Sequence, residues 1–367
     1  MQGCNNLIFK MKKNSQKVVI ISAWLPGGGI EKVIQNLYLE ESPFVDLIVL
    51  SLSTKINYNW YSKFEDRVQF IDCFNEQSNV FGTLISFIRS IVLVNRYIKK
   101  ESPKVILFSH SFLLPIFGIL KPKCQTFFWP QNSLNVSSNF IRSFLTKMNY
   151  SFFRKSIKGV LCVNETIEKE AKAYGFKKTY MVYNPIGESF PPQFKFDPSL
   201  NKLVHIGFLD SRKNTSFIIE AMAQTRNHNL TLDIIGSGEL LNQLIKLAED
   251  LGISEKINFR GFVDLKNELI NCSGLIMASK SEGFSMIISD ALKCGVPVIL
   301  PENLDIYRFI KTNKVLGSGF RLNDLSSIVD VLDNINFETI DTNLISNTYI
   351  KEFGSLAYHK RLIKALL

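Results

Sequence analysis

The residues with the clearest chemical potential lie between Ser279 and Leu300, in the stretch Ser-Lys-Ser-Glu-Gly-Phe-Ser-Met-Ile-Ile-Ser-Asp-Ala-Leu-Lys-Cys-Gly-Val-Pro-Val-Ile-Leu. A polar loop, Ser279 to Glu282, leads through Gly283 into a predicted helix. The first amides of such a helix have no intrahelical partner and suit an anion. Glu282 and Asp290 stand eight positions apart. On a helix that is a little over two turns, so both carboxylates face one side. Cys294-Gly295-Val296-Pro297 then stops the helix, and Val298 opens a strand buried on both faces. Together these residues suit a phosphate-bearing ligand held end-on, with one carboxylate for each of two hydroxyl-rich parts.

Other candidates follow predicted strands. The loop Leu25 to Glu31 carries Gly27, Gly28 and Gly29 directly after the strand Lys17 to Ala23. Three glycines either let the backbone approach a ligand or form a flexible turn. The dinucleotide-binding spacing of glycines is absent. His110 follows the strand Val105 to Phe108 and is either a ligand contact or a structural hydrogen-bonder. Trp129-Pro-Gln131-Asn132 either lines a cleft or is a turn. Glu31 and Glu239 are ligand contacts or helix-start carboxylates favoured by the dipole, and His205 reads as core.

The elements that must position these residues alternate. Strands are predicted near 46–52, 68–71, 105–108, 126–129, 160–163 and 180–182, with helices over 83–100, 137–155 and 165–174 between them. Apolar strands alternating with helices imply a parallel sheet covered on both faces. Asn184-Pro185, Pro191-Pro192 and Asp197-Pro198 interrupt the alternation and mark a linker. A second series follows, with strands near 203–207, 230–235, 257–259, 274–278 and 298–300. Asn214 or Thr215 is placed to cap the helix from Ser216 to Gln224. A last helix runs from about Thr348 with no strand after it. The expected organisation is a first domain over 1–187, a second over 198–347, and a C-terminal helix, 348–367, returning to the first.

Composition narrows the class. The chain has 367 residues, of which 46% are hydrophobic, and only 12 Pro and 20 Gly. That is globular throughout and long enough for two cores. The six cysteines are scattered without a Cys-x-x-Cys pair or a nearby His, so the pattern favours neither zinc nor disulfides and fits a reducing cytosol. No apolar stretch near the start reads as a signal peptide, and the run Val105 to Leu120 is too short and interrupted to span a bilayer. The net charge of +10 is unevenly spread: between Glu101 and Glu165 there is no carboxylate. A basic surface of that kind meets nucleic acid, anionic lipid or an acidic polymer. Within it, Asn139 to Lys158 mixes Phe140, Phe144, Met148, Phe152 and Phe153 with basic residues, and is either a solvated face or a membrane-surface helix.

Two consecutive doubly wound domains, Glu282-Gly-Phe followed by Asp290-Ala, and Gly295-Val-Pro-Val together resemble the retaining glycosyltransferases of family 4, with their GT-B architecture. The likeness covers nearly the whole chain. Its most specific part is the Glu-x7-Glu motif, here with Asp290 in the second place. Supporting signatures are Gly27-Gly28-Gly29-Ile30-Glu31, His205 to Asn214, Ile235-Gly236-Ser-Gly238-Glu239 and Gly261-Phe262-Val263.

The resemblance implies two Rossmann-like domains facing across a cleft, the second binding a nucleotide-sugar donor and the first an acceptor. It implies that Glu282 bonds the donor sugar's hydroxyls, that Asp290 binds the ribose, and that amides of Gly283, Phe284, Ser285 and Met286 meet the sugar and diphosphate. Lys213 would neutralise the diphosphate with an Arg partner, but that Arg position is Phe208 here, and Arg212 is the neighbouring substitute. Gly28, Gly29 and Gly236 would approach the donor, Gly261 and Phe262 would lie by the base, and His110 by the sugar. The donor is a substrate, UDP-linked by family frequency. No cofactor is called for, and no Asp-x-Asp pair suggests a metal.

The expected function is retaining, metal-independent sugar transfer to a lipid-linked or oligosaccharide acceptor, such as a polyprenyl-pyrophosphate-linked glycan, in bacterial capsule or O-antigen synthesis. The expected place is the cytoplasmic face of the membrane, held peripherally by the basic first domain, with no nucleic-acid partner. Two alternatives stay open: a sugar-nucleotide epimerase of the same architecture, and a non-catalytic nucleic-acid-binding protein.

Overall fold

A computed structural model describes residues 16–22, 29–39, 45–52, 68–70, 80–135, 140–186, 200–261, 263, 268–269 and 271–366. The chain divides into two compact units, Met1–Gly187 with Ser355–Leu367, and Glu188–Gly354.

In unit 1 the elements are β1 (Gln16–Ser22), α1 (Gly29–Leu39), β2 (Val45–Ser51), β3 (Val68–Phe70), α2 (Val80–Glu101), β4 (Val105–Phe108), α3 (Leu114–Leu120), β5 (Gln125–Phe128), α4 (Phe140–Phe153), β6 (Gly159–Cys162), α5 (Glu165–Ala173) and β7 (Thr179–Met181). The sheet order is β3-β2-β1-β4-β5-β6-β7 and its pairings are parallel. Val18 to Ile21 and Val105 to Phe108 are buried without alternation, as strands covered on both faces must be. Right-handed crossovers from β3 to β4 and onward place α2, α3, α4 and α5 on one face. Contact is close there: a Cβ on Gly118 of α3 would overlap the Phe153 ring at the end of α4. The start of α5 is fixed by Asn164, whose side chain accepts from Ile167 N at 2.8 Å, with Glu165 and Glu168 in the first turn.

Unit 2 contains β8 (Lys202–Ile206), α6 (Thr215–Gln224), β9 (Thr231–Ile235), α7 (Leu241–Asp250), β10 (Ile257–Gly261), β11 (Gly274–Ile276), α8 (Met286–Lys293), β12 (Val298–Pro301), α9 (Tyr307–Thr312), β13 (Gly317–Phe320), α10 (Leu325–Asn334) and α11 (Thr342–Phe353). Its sheet runs β10-β9-β8-β11-β12-β13, again parallel. Leu203, Ile218, Met222, Leu232, Ile276, Ile299, Phe320 and Ile328 form the centre of its core.

Three expectations need correction. The single helix from about Thr348 is two helices: α11 ends in unit 2 at Phe353, and α12 (Ser355–Leu366) belongs to unit 1. Gly354 between them is extended, φ −64° and ψ 172°, which breaks the helical path. In unit 1, Arg361 of α12 lies 4.8 Å over the Tyr183 ring, while Tyr358, Leu362 and Ala365 are buried. The edge strand β13, Gly317-Ser-Gly-Phe, was not foreseen because half of it is glycine. Asn214 does not cap α6 with its side chain; it is left-handed, φ 55°, and Thr215 is engaged elsewhere.

That engagement is with His205. The ring is wholly buried, its Nδ1 3.0 Å from the Ile276 carbonyl oxygen and its Nε2 3.0 Å from Thr215 Oγ1. A carbonyl only accepts, so Nδ1 carries the proton, and Nε2 of the neutral ring accepts from the Thr215 hydroxyl. Burial pushes the His205 pKa down to about 4. Below the ordinary value near 6.5, the unfolded chain binds a proton that the folded one refuses. The stability from this residue is therefore complete above pH 6.5 and is lost as pH falls toward 4. Urea unfolding of unit 2 should show a loss of roughly 2 kcal/mol from His205 between pH 7 and pH 5. A His205→Gln variant should have a flatter profile across that window, and equal slopes would exclude this role.

Candidate functional site

In each sheet the strand order reverses direction at one place. It lies between β1 and β4 in unit 1 and between β8 and β11 in unit 2. The loops leaving the carboxyl ends of such a strand pair diverge to opposite faces and leave a crevice, the usual ligand position of open α/β sheets. In unit 2 these loops are 207–214, carrying Arg212 and Lys213, and 277–285, carrying Glu282.

The two loops are joined. Lys280 N donates to the Arg212 carbonyl oxygen at 2.9 Å, and the Asn303 side chain, from beyond β12, donates to Lys280 O at 3.0 Å. The Lys213 ammonium then meets Glu282 Oε1 at 2.6 Å, both side chains being only 10% and 13% exposed. Asp210 Oδ1 accepts from the backbone of Arg212 and Lys213 at 3.1 and 3.0 Å, which shapes the turn behind the lysine. Gly207 is what lets the lysine stem lie flat: a Cβ there would sit 3.0 Å from Lys213 Cε. Arg212 is half-exposed, with Nη1 3.4 Å from both Ser281 O and Glu282 Oε1 and Nη2 3.9 Å from Asp210 Oδ2.

The loops after β8, β9 and β10 close against one another through backbone bonds. Gly207 N donates to Ile235 O at 3.0 Å, Leu209 N to Ser237 O at 2.9 Å and Gly236 N to Gly261 O at 2.8 Å. Gly236 has φ 133°, and a Cβ on it would be driven into the Gly207 carbonyl. Gly261 is left-handed at φ 64° with open space around its missing side chain. Phe208 stands 56% exposed on the rim of this loop cluster.

Helix α8 starts at Met286, three residues later than Gly283, so Glu282 is not on the helix and the two-turn offset to Asp290 does not apply. Ser285 takes the N-cap position without a side-chain bond to the helix. Asp290 lies within α8 and pairs with Lys293 at 3.3 Å, both largely buried. The Phe284 ring packs toward Phe353, centroids 6.0 Å apart, and Phe353 also meets Phe309 and Tyr349 at 5.0 and 4.8 Å. Tyr349 donates to Ser289 Oγ at 2.8 Å. This aromatic group braces the loop that presents Glu282 and was not apparent in the sequence, because its members come from two separate helices and a loop. The Asp290–Lys293 pair had an i, i+3 signal that could have been read.

In unit 1 the corresponding loops follow β1 and β4. His110 sits at the β4 end, its Nδ1 2.8 Å from Ser109 Oγ, and burial pushes its pKa down to about 4. It is thus neutral at pH 7. Gly29 is the first residue of α1. Gly28 and Phe262 lie outside the described residues. Past β5, the Gln131 side-chain oxygen accepts from Asn184 Nδ2 at 2.6 Å, a tie between loops of unit 1.

Comparison with known proteins agrees with this architecture. Residues 188–322 match the family model described as Glycosyl transferases group 1. The chain is 24% identical over 312 residues to the N-acetylgalactosamine-N,N'-diacetylbacillosaminyl-diphospho-undecaprenol 4-alpha-N-acetylgalactosaminyltransferase of Campylobacter jejuni, covering 78% of this chain and 81% of that protein. Among solved structures it is similar to the lipopolysaccharide outer core galactosyltransferase WaaB in its apo form, with TM-score 0.75, 19% identity and coverage of 95% and 99%. It is also similar to Anabaena Alr3699/HepE in complex with UDP, with TM-score 0.73, 15% identity and the same coverage. The fold is the two-domain GT-B architecture, and the match to the group 1 glycosyl transferase model falls within the second unit.

Proposed function

We propose that this chain transfers a sugar, with retention of anomeric configuration, from a UDP-sugar to a lipid-linked glycan acceptor of a bacterial surface polysaccharide. The observation that carries the reading is the meeting of Lys213 and Glu282 at 2.6 Å where the sheet order of unit 2 reverses. Breaking the anomeric bond leaves negative charge on a nucleoside diphosphate. Catalysis requires groups that stabilise that charge more in the transition state than in the ground state.

Lys213, held nearly out of water, supplies a fixed positive charge for it. Arg212 supplies the second cation in place of one at Phe208. The first-turn amides of α8 add donors. Once diphosphate oxygens compete for Lys213, the Glu282 carboxylate, an acceptor only, is available to the donor sugar's hydroxyls. Asp290 has to exchange part of its contact with Lys293 to reach a ribose. Neutral His110 offers a hydrogen bond on the acceptor-side unit without adding charge. Retention follows from attack on the face the diphosphate leaves, its oxygen assisting removal of the acceptor proton. These groups perform every step by charge and hydrogen bonding, without a metal.

The lipid-linked acceptor is supported by the Campylobacter jejuni relative, named for a diphospho-undecaprenol substrate, and the nucleotide by the UDP complex of the Anabaena protein. A Salmonella typhimurium relative, 21% identical over 305 residues, is a lipopolysaccharide 1,6-galactosyltransferase. Unit 1 supports work at a bilayer. None of its described helices is long and apolar enough to cross a membrane. Yet Ile85, Ile88 and Val92 of α2, Ile119 of α3, and Phe144, Met148 and Phe152 of α4 are exposed on one helical layer. They account for most of the exposed large hydrophobic side chains among the described residues, in a region rich in Lys and Arg, which fits the inner face of an anionic membrane.

Glu282→Gln should lower sugar transfer roughly a hundredfold while UDP affinity stays within about threefold, since a hydrogen bond donated to a charged group is worth about 1.5–3 kcal/mol. Lys213→Met should instead weaken UDP binding by about tenfold or more. Calorimetry with UDP, GDP and a random oligonucleotide, together with a transfer assay over a panel of UDP-sugars, measures both. A fully active Glu282→Gln enzyme, or an affinity for the oligonucleotide but none for UDP, would overturn the reading.

A further inference from the structure

A cavity of about 350 Å³ opens in unit 1 at the amino ends of β6 and β7, the sheet edge opposite the one that carries His110. Its walls are Arg154, Lys155, Lys158, Lys177 and Lys178, with Ile157 and Phe176 as apolar surface and Gly159 and Gly175 as gaps. Five cations and no carboxylate line it. Apart from Arg154, which bonds Tyr174 O, these cations make no ion pair or side-chain hydrogen bond with any described residue. Like charges gathered around one hollow repel one another, and the arrangement lowers stability unless an anion joins it.

The cavity is built on rigid backbone. Lys158 N donates to Thr126 O at 2.8 Å and Val160 N to Lys178 O at 3.0 Å, so the lysines stand on the starts of paired strands. Arg154 Nη1 donates to the Tyr174 carbonyl oxygen at 2.8 Å. That contact requires glycine at the next position: Gly175 has φ 79°, and a Cβ there would come 2.5 Å from the same nitrogen. Of the five guanidinium donors, one is spent on this tie and the others remain for an oxyanion.

The cavity adjoins the exposed face of α4. Phe144, Met148 and Phe152 recur at every fourth position along it, Phe152 being 70% exposed. Lys147 on α4 and Lys155 in the turn just after it are exposed as well, and Lys155 is both three residues beyond Phe152 and a wall of the cavity. A soluble phosphate compound needs the cations alone. An apolar row running into a basic hollow suits a bilayer, where the rings enter the boundary between headgroups and acyl chains and the cations meet phosphates at the headgroup level.

We propose that this cavity seats the phosphate headgroup of an anionic lipid, and that with the α4 face it fixes unit 1 on the membrane. The inference rests on the reading that the chain works at a bilayer, and it assigns that contact to a site distinct from the donor loops.

Co-sedimentation with phosphatidylcholine vesicles, with and without phosphatidylglycerol, tests it. The variant Lys155→Ser, Lys158→Ser, Lys177→Ser, Lys178→Ser leaves Arg154 and its backbone tie intact. It should bind phosphatidylglycerol vesicles at least about tenfold more weakly than the parent, because each basic residue at an anionic surface contributes appreciably. A control removing the same charge from unit 2, Lys246→Ser, Lys256→Ser, Lys311→Ser, Lys314→Ser, should change binding by less than about threefold. Phe152→Ser should weaken vesicle binding about tenfold as well. UDP affinity, measured on each protein, should be unchanged and serves as the folding control. Equal losses for the two lysine sets would reduce the effect to overall charge and overturn the site. Displacement by millimolar glycerol 1-phosphate, with Phe152→Ser without effect, would reassign the cavity to a soluble phosphate. A parent protein that binds UDP but not phosphatidylglycerol vesicles would sink the lipid proposal and leave the donor site standing.

Discussion

A lysine and a glutamate held almost out of water must face each other or a ligand that replaces one of them. Lys213 and Glu282 meet at 2.6 Å, and the architecture of unit 2 depends on making that meeting possible. Removing Glu282 would strand the lysine at a cost of several kcal/mol, about 3–5 for a buried pair, whereas removing Lys213 leaves the glutamate with Arg212 at 3.4 Å. In the proposed function the pair is poised for exchange, since a diphosphate would offer the lysine another anion and free the carboxylate for hydroxyl groups. In the proposed reaction one contact thus couples donor binding to sugar orientation.

The parallel sheet supplies the geometry. The sheet order reverses between β8 and β11, so the loop that follows each strand turns away from its neighbour and the two can carry opposite charges toward one place. Glycines then permit the close approaches: Gly207 against the lysine stem, and Gly236 against the Gly207 carbonyl. The cluster of Phe284, Phe309, Tyr349 and Phe353 braces the glutamate loop from behind. Unit 1 repeats the plan with its own reversal between β1 and β4, where a neutral His110 ends the strand.

Much of this was legible in the sequence because apolar strands buried on both faces, such as Val105 to Phe108, leave an unmistakable run, and because Gly and polar residues gather where such strands end. The edge strand at Gly317 was hidden, since glycine carries no strand signal and an edge needs only one neighbour. The first turn of α8 was placed too early: Gly283 and Phe284 look permissive of helix, but the Phe284 ring turns toward Phe353. The break at Gly354 was lost for the opposite reason, as the apolar spacing of Phe353, Leu356 and Ala357 continues across it. Long-range partners left no local trace. Thr215, one of two cap candidates with Asn214, serves His205, ten residues away. The basic cavity joins residues 154–158 to 177–178 only because β6 and β7 lie side by side.

The central claim is that the Lys213 charge at the sheet reversal of unit 2 exists to hold a nucleoside diphosphate. Calorimetric titration of uridine, UMP and UDP into the parent protein and Lys213→Met tests it most directly. The account predicts that affinity rises from uridine through UMP to UDP in the parent, by about tenfold or more at the last step, and that most of this rise disappears in Lys213→Met. Equal affinity of the parent for uridine and UDP, or an undiminished preference for UDP in the variant, would contradict it.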